Sequence, residues 1–262
     1  MKHLGKSQIR MINKVKDRCL YFFLDFDGTL TPIRRDPQKV RLGRRMQYTL
    51  KNLAAKRNIS VAVVSGRALK DIKRIIGLKD IIYVGNHGLE AAGPNVEFIL
   101  PSAVKTKRVI KAIGQELRKK LRRFKGVITE DKTLSLSVHY RMANKKSIGE
   151  ITELFELITK PYRKKRKVRV TEGKKVWEIR PPVAWDKGRA VKKLLWKEEQ
   201  RLKKKIIPFC LGDDKTDEDV FRLFKTRGYT IKVTNKPYEE SAANYYLGSI
   251  DDVRGFLKIF TV

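Results

Sequence analysis

Apolar and polar residues follow two different periods along this chain of 262 residues. Short apolar runs that end in glycine or polar residues predict buried strands at 20–25, 59–64, 81–84, 206–211, 230–233 and 245–247. Apolar residues three and four positions apart predict helices near 41–56, through Leu69, Ile72 and Ile76, from Lys187 to Arg201, through Val220, Phe221 and Phe224, and from Asp251 onward. Because strands and helices alternate, these segments predict a parallel α/β sheet.

The pattern changes after Pro101. Helices are predicted at about 104–124 and around 148–158, and strands near 126–130, 133–140, 167–171 and 175–180. In the last of these strands Glu178 and Arg180 share one face, and Trp177 and Ile179 share the other. This pattern predicts an antiparallel sheet that helices cover on one side only. The predicted domains are the two parts of a core, 1–101 and 183–262, and an inserted α+β domain, 102–182.

Asp25 and Asp27 directly follow the apolar run Tyr21-Phe22-Phe23-Leu24. Ligands of open α/β sheets bind beyond the carboxyl ends of strands, so these carboxylates stand where chemistry is usually placed. They could share a cation, or divide nucleophilic attack and proton transfer between them. The alternative is a turn in which both aspartates cap the next segment. An EF-hand loop is excluded, because no further oxygen ligands follow at the spacing that such a loop requires.

Three more polar clusters lie at strand ends or helix starts: Ser65-Gly66-Arg67, Lys187, and Asp213-Asp214 with Asp217. Taken singly, each has a structural explanation. Ser65 could cap a helix, Lys187 could be an ordinary helix-start residue, and the acidic run could interact with a helix dipole. Taken together with Asp25 and Asp27, they supply the groups that metal-assisted phosphoryl transfer needs.

A phosphoryl group repels an attacking carboxylate, so the site must supply positive charge. Mg²⁺ is the expected cation, with Asp25, Asp213 and the carbonyl of Asp27 as ligands and with Asp214 and Asp217 in support. Lys187 and a helix N-terminus at Ser65 would bind the other phosphate oxygens. Asp27 would protonate the leaving alcohol and then deprotonate water.

The same motifs resemble those of the haloacid-dehalogenase superfamily of phosphatases. Within it, three stretches are similar to the trehalose-6-phosphate phosphatase family: Asp25-Phe26-Asp27-Gly28-Thr29-Leu30-Thr31-Pro32-Ile33, Gly85-Asn86-His87-Gly88-Leu89-Glu90 and Gly212-Asp213-Asp214-Lys215-Thr216-Asp217-Glu218-Asp219. The resemblance implies a Rossmann-like core, a mobile α/β cap and an aspartyl-phosphate intermediate on Asp25. It also implies hydrolysis of trehalose 6-phosphate to trehalose and phosphate.

The resemblance further implies that acidic and basic residues of the cap read the sugar. The matching segments predict substrate contacts from Glu130, Lys132 and Glu178, because charged groups suit hydroxyls that both donate and accept hydrogen bonds. His139 and Arg141 could contribute, although a half-buried strand histidine is more often structural.

Four core residues complete the predicted substrate site. Gly66 and Arg67 follow Ser65 in a loop that we expect to bind the phosphate and call the phosphate loop (Ser65–Arg67). An ion pair inside the core is the alternative for Arg67. Asn86 and His87 could contact the sugar or support the hinge of the cap. Because specificity resides in such contacts, sucrose phosphate and mannosyl-phosphoglycerate are alternative substrates.

The chain has 61 lysine and arginine residues against 28 aspartate and glutamate residues, a net charge of +33. A basic nucleic-acid-binding protein is therefore a third hypothesis. The basic residues, however, are spread over the chain, and no aromatic residues are interleaved with them as a platform for base stacking. We therefore expect the basic residues to lie on solvent-exposed surface. The expected partner is a phosphorylated disaccharide, and binding to nucleic acid or to a membrane is not expected.

The remaining features predict a cytoplasmic protein. No apolar run reaches the length of a membrane span, and residues 1–18 are charged throughout, unlike a secretory signal. Cys19 and Cys210 lie in apolar, strand-like runs and are expected to be reduced core thiols. Nothing in residues 1–18 predicts whether they fold.

Overall fold

The structure is a computed structural model that describes residues 1–34 and 36–261. The chain divides into two compact units. The first, which we call the core unit, comprises Met1–Phe98 and Trp185–Val262. The second, which we call the inserted unit, comprises Ile99–Ala184.

The described residues form the following strands and helices. The strands are β1 (Lys2–His3), β2 (Leu20–Leu24), β3 (Ile59–Val64), β4 (Ile82–Gly85), β5 (Glu90–Gly93), β6 (Val96–Ile99), β7 (Ile128–Asp131), β8 (Leu136–His139), β9 (Arg169–Gly173), β10 (Val176–Arg180), β11 (Ile207–Gly212), β12 (Tyr229–Val233) and β13 (Tyr245–Leu247). The α-helices are α1 (Lys6–Asn13), α2 (Arg44–Ala54), α3 (Leu69–Ile76), α4 (Pro101–Leu121), α5 (Ile148–Lys164), α6 (Lys187–Leu202), α7 (Glu218–Phe224) and α8 (Ile250–Lys258).

The core sheet has the strand order β1-β13-β12-β11-β2-β3-β4-β5-β6. Its strands are parallel from β1 to β4, and β5 pairs antiparallel with β4. This confirms the predicted parallel α/β core. Because β11, β2, β3 and β4 are neighbours that run in the same direction, their carboxyl ends meet at one edge of the sheet.

Strand β2 shows how alternation builds the two hydrophobic layers. Phe22 and Leu24 pack in one buried cluster with residues of α2, α3 and α8. Tyr21 and Phe23 pack in a second cluster with residues of α6 and α7. Successive side chains point to opposite faces of a strand, so a sheet that is covered on both faces requires a continuous apolar run.

Four elements, β1, α1, β5 and β6, were not predicted. Residues 1–18 do fold, because β1 pairs with β13 and because Leu4 and Ile12 are buried in the first cluster. Strands β5 and β6 also went unpredicted. The sequence of β5 is Glu-Ala-Ala-Gly, which has little intrinsic preference for a strand.

The inserted unit is an antiparallel sheet of order β7-β8-β10-β9 with α4 and α5. Leu136, Val138, Trp177 and Ile179 of the sheet are buried with apolar residues of both helices. Their neighbours in sequence therefore lie on the other face, as the alternation predicted. No helix among the described residues is both long and apolar enough to cross a bilayer.

Candidate active site

Four candidate groups follow four neighbouring parallel strands. Asp213 follows β11, Asp25 follows β2, Ser65 follows β3 and Asn86 follows β4. The register pairs Leu211 with Leu24, so Asp25 and Asp213 leave the sheet side by side. The sheet thus brings together residues that lie far apart in the sequence.

Lys187, the first residue of α6, reaches into this edge. Its Nζ donates to Asp25 Oδ1 at 2.6 Å and to Asp217 Oδ1 at 2.9 Å, and the residue is only 2% exposed. Burial alone would lower the pKa of Lys187, but the charges of Asp217 and Asp25 raise it well above its ordinary value. Lys187 therefore stays a cation between two carboxylates.

The turn between β11 and α7 is organised by its own carboxylates. Asp217 Oδ2 accepts from the backbone N–H groups of Asp213 at 3.0 Å and of Asp214 at 3.1 Å. Asp214 Oδ1 accepts from the backbone N–H of Thr216 at 2.8 Å and from its hydroxyl at 2.7 Å. Burial raises the pKa of Asp214, but the charge of Lys187 and the Thr216 hydroxyl outweigh burial and hold it below its ordinary value.

Asp25, Asp213 and Asp217 form an acidic cluster in which one carboxylate oxygen of each lies within 4.8 Å of the others. Burial raises the pKa of Asp25 to about 7; Lys187 opposes this shift, and the charges of Asp213 and Asp214 add to it. A Cβ at Gly28, whose φ is +93°, would overlap the Asp213 carboxylate, so glycine permits this close approach. Converging carboxylates of this kind are the donor set that a hard divalent cation prefers.

The side chain of Asp27 is held by Arg67. The guanidinium donates from Nε to Asp27 Oδ2 at 2.7 Å and from Nη2 to Oδ1 at 2.6 Å. Arg67 also donates from Nη1 to the carbonyl of Pro37 at 2.9 Å. This is the ion pair inside the core that the sequence allowed for Arg67, and the substrate contact of Arg67 stays a prediction.

The Ser65–Arg67 loop contacts the turn that follows β4. Ser65 Oγ accepts from the backbone N–H of Arg67 at 3.2 Å. The backbone N–H of Asn86 donates to the Arg67 carbonyl at 2.7 Å, and that of His87 donates to the Ser65 carbonyl at 3.0 Å. Gly66 lies against His87, because an added Cβ there would overlap the imidazole.

The predicted sugar-binding residues lie on the inserted unit and contact one another there. Lys132 Nζ and Ser137 Oγ each donate to Glu178 Oε1 at 3.3 Å, and Arg180 donates to Glu178 Oε2. Next to them His139 Nε2 lies 2.9 Å from Glu130 Oε2. The other predicted site residues all belong to the core unit.

Two residues of these networks were not assigned from the sequence. Glu90 Oε1 accepts from Asn86 Nδ2 at 2.6 Å and from the backbone N–H of Leu69 at 3.0 Å, so it ties the turn to α3. Arg180 contacts Glu178, two positions earlier on the same strand face. The signals were present, since Glu90 ends the Gly-Asn-His-Gly-Leu-Glu motif and Arg180 alternates in phase with Glu178.

The parallel sheet, with its acidic, seryl and lysyl groups at one edge, defines a phosphatase fold of the haloacid-dehalogenase class. The sequence profile of the trehalose-phosphatase family matches residues 23–251. The chain belongs to this family.

Individual relatives agree with this assignment. Trehalose-phosphate phosphatase B of Arabidopsis thaliana is 31% identical over 259 residues, which cover 95% of this chain and 68% of that protein. Trehalose 6-phosphate phosphatase RA3 of Zea mays is 29% identical over 262 aligned residues, which cover 95% of this chain and 71% of that protein. Among solved structures, the C-terminal domain of the C. albicans trehalose-6-phosphate phosphatase shares the fold with a TM-score of 0.80 at 23% identity, over 99% of this chain and 98% of that one.

Proposed function

We propose that this chain is a magnesium-dependent phosphatase that hydrolyses trehalose 6-phosphate to trehalose and inorganic phosphate. The observation that carries the proposal is the hydrogen bond of 2.6 Å from Lys187 to Asp25, within the acidic cluster of Asp25, Asp213 and Asp217. This arrangement pairs a carboxylate nucleophile with a fixed cation that can bind phosphate. The substrate is supported by the names of the relatives, which are trehalose-phosphate phosphatases.

Two residues carry the chemical steps of the proposal. Asp25 attacks phosphorus, the bond from phosphorus to the sugar oxygen breaks, and Asp27 donates a proton to that oxygen as the general acid. Asp27 then removes a proton from water, whose oxygen attacks the phosphorus of the aspartyl phosphate. The bond between phosphorus and the Asp25 oxygen breaks. Inorganic phosphate is released, and the carboxylate of Asp25 is restored.

The phosphate loop and Lys187 bind the phosphoryl oxygens that do not react. Ser65 offers a hydroxyl shortly before α3 begins at Leu69. Lys187 hydrogen-bonds Asp25 Oδ1, so we assign the attack to Asp25 Oδ2. Positioning and charge compensation, rather than further covalent chemistry, supply most of the catalysis of phosphoryl transfer.

The metal ligands in the proposal are the carboxylates of Asp25 and Asp213 and the carbonyl of Asp27. Asp217 belongs to the same acidic cluster, but its Oδ1 accepts from Lys187 and its Oδ2 accepts from two backbone N–H groups. We therefore assign Asp217 to the support of the site. Bound Mg²⁺ would neutralise charge on the phosphoryl oxygens during transfer.

The inserted unit acts as the cap in this proposal. Glu130, Lys132 and Glu178 bind sugar hydroxyls through charge-assisted hydrogen bonds. The domain boundaries at 101 and 182 and the cytoplasmic location stay predictions.

A phosphate-release assay tests the proposal. Its substrates are trehalose 6-phosphate, sucrose phosphate, mannosyl-phosphoglycerate and p-nitrophenyl phosphate, each with Mg²⁺ or with EDTA. We expect the highest kcat/KM for trehalose 6-phosphate, and no turnover in EDTA or after Asp25→Asn. The matched control, Asp80→Asn, changes an exposed aspartate outside the site and should be fully active. Turnover that survives EDTA or Asp25→Asn would contradict the mechanism. A higher kcat/KM for sucrose phosphate or mannosyl-phosphoglycerate would make that compound, and not trehalose 6-phosphate, the proposed substrate.

A further inference from the structure

Asn86 and His87 both adopt the left-handed backbone conformation, with φ of +51° and +55°. This conformation is unfavourable for most residues with a Cβ, histidine included, and asparagine tolerates it better. The strained turn follows β4 directly, at the same edge of the sheet as Asp25 and Ser65. Such strain persists only where surrounding contacts hold it, and it is concentrated at functional sites.

On one side, the turn is held by the phosphate loop. The N–H groups of Asn86 and His87 donate to the carbonyls of Arg67 and Ser65, at 2.7 and 3.0 Å. These bonds join both ends of the Ser65–Arg67 loop to the turn.

On the other side, the turn packs on the start of α6. Trp185 Nε1 donates to the Gly88 carbonyl at 2.7 Å. A Cβ at Gly88 would lie 2.7 Å from Ala190 Cβ and 3.1 Å from the Asp186 carbonyl, so the backbone is in close contact with the helix that begins at Lys187. The turn therefore lies between the phosphate loop and the helix that carries the site's cation.

The imidazole of His87 fills the space over Gly66. The residue is 9% exposed, and a Cβ at Gly66 would overlap its Nε2 and Cε1 atoms. His87 thus contacts the phosphate loop.

We propose that His87 is a positioning residue of the phosphate site, whose imidazole lies on Gly66 and holds the Ser65–Arg67 loop in place against the start of α6. The inference rests on the proposed phosphatase function and deepens it. Because the loop binds the phosphoryl group and not the sugar, loss of the imidazole should affect every phosphomonoester equally. A His87 that contacts the sugar would instead matter only for sugar phosphates.

The test variant is His87→Asn, because asparagine tolerates the left-handed conformation and removes only the imidazole. We expect kcat to fall about 10- to 100-fold, by the same factor for trehalose 6-phosphate and p-nitrophenyl phosphate. We also expect inorganic phosphate to raise the Tm of the variant by less than half of the shift that it gives the wild type. This second measurement needs no turnover, so it stays informative if trehalose 6-phosphate is not the substrate.

A double-mutant cycle separates positioning from general destabilisation. Gly66→Ala alone should lower kcat at least 10-fold, because the new Cβ displaces the loop, but in the His87→Asn background it should cost less than about threefold. Asn95→Ala is the matched control, since Asn95 is exposed and has a φ of +57° in the β5–β6 turn; it should lower Tm and leave kcat unchanged. Unchanged kcat in His87→Asn, a loss confined to trehalose 6-phosphate, or additive effects in the cycle would each overturn the proposal.

Discussion

Arg67 binds both carboxylate oxygens of Asp27, at 2.7 and 2.6 Å, and its side chain is only 11% exposed. A two-point contact of this kind fixes the carboxylate in direction as well as in place. Each of these oxygens keeps a second lone pair, so Asp27 can exchange a proton with a substrate while the guanidinium holds it in place. Arg67 thus defines the position from which the proposed acid and base works.

The first prediction concerns Asp27→Asn. We expect kcat for trehalose 6-phosphate to fall about 10²- to 10⁴-fold, because a sugar alkoxide needs a proton as it leaves. p-Nitrophenolate leaves without one, so rapid-quench measurements should show a burst of about one p-nitrophenolate per active site followed by slow turnover. Steady-state rates that fall equally, with no burst, would contradict the assignment of Asp27.

The strands that carry this site could be predicted from the sequence, but the contacts between their loops could not. The run Tyr21-Phe22-Phe23-Leu24 predicted β2 because a strand buried on both faces needs every residue apolar, and the structure confirms this strand. Parallel neighbours then imply that Asp25, Ser65 and Asp213 meet at one edge. The pairing of Arg67 with Asp27 could not be predicted, because their loops follow different strands and side-chain direction there depends on tertiary packing.

The parts of the fold that were not predicted are those with weak local signals. Strand β5 contains two alanines and a glycine, so it forms through pairing with β4 rather than through its own preference. Helix α1 lies in a charged segment where few apolar residues mark a buried face, although Ile12 reaches the core. The contact of His87 with Gly66 joins two turns that are 21 positions apart, and only the adjacency of β3 and β4 brings them together.

The second prediction concerns Lys187, which lies between Asp25 and Asp217 at 2.6 and 2.9 Å. Lys187→Met should remove activity and lower the free energy of unfolding by about 3–5 kcal/mol, because it leaves two buried carboxylates without their cation. The double variant Lys187→Met/Asp217→Asn should recover part of the stability but no activity. Urea unfolding and the phosphate-release assay measure the two effects.

Its control is an ion pair on the surface. Arg222 and Asp219 pair along α7, with side chains that are 62% and 39% exposed, so Arg222→Met should change stability by no more than about 0.5 kcal/mol. A similarly small change in Lys187→Met would show that Lys187 does not compensate the buried carboxylates.

The third prediction concerns recognition of the sugar by Glu178. Glu178→Gln should lower kcat/KM for trehalose 6-phosphate about 10- to 100-fold, since a hydrogen bond to a charged group contributes about 1.5–3 kcal/mol. Hydrolysis of p-nitrophenyl phosphate should be unchanged. Glu172→Gln is the matched control on the same sheet, because Glu172 pairs in register with Trp177 and accepts from the Tyr140 hydroxyl at 3.0 Å, on the face opposite Glu178. Equal losses for both substrates in Glu178→Gln would exclude a sugar-binding role.

The fourth prediction concerns stability in acid. Glu198 accepts from Arg201 at 2.7 and 2.8 Å and from the Ser60 hydroxyl at 2.9 Å. The hydrogen bonds from Arg201 lower the pKa of Glu198 below its ordinary value of 4.5, against the opposing effect of burial, and Ser60 adds to the lowering. The folded state therefore prefers the ionised form of Glu198. The contribution of Glu198 to the free energy of unfolding is present above pH 4.5 and is lost as the pH falls through the lower pKa that Glu198 has in the folded protein.

Urea unfolding between pH 6 and pH 3 checks this sign. Glu198→Gln should have a lower free energy of unfolding than the wild type at pH 6, and this difference should become smaller toward pH 3. Glu97→Gln, at an exposed position of β6, should follow the wild-type profile. A gap that stays constant or widens in acid would contradict the assignment.

The last prediction concerns the basic surface and the anionic substrate. The inserted unit, 99–184, has 24 lysine and arginine residues against 8 aspartate and glutamate residues, a net charge of +16, whereas the other 176 residues carry +17. A field of this sign attracts a phosphate dianion, and salt screens it over about 10 Å at 0.1 M and about 3 Å at 1 M. We therefore expect KM for trehalose 6-phosphate to rise as NaCl increases from 20 to about 500 mM, with kcat nearly constant. Neutralising Lys107, Arg108 and Lys111, which are exposed on α4, or Lys192, Lys204 and Lys205, which are exposed on the core unit, should each flatten this dependence. A KM independent of NaCl in all three proteins would show that the charge serves no role in substrate capture.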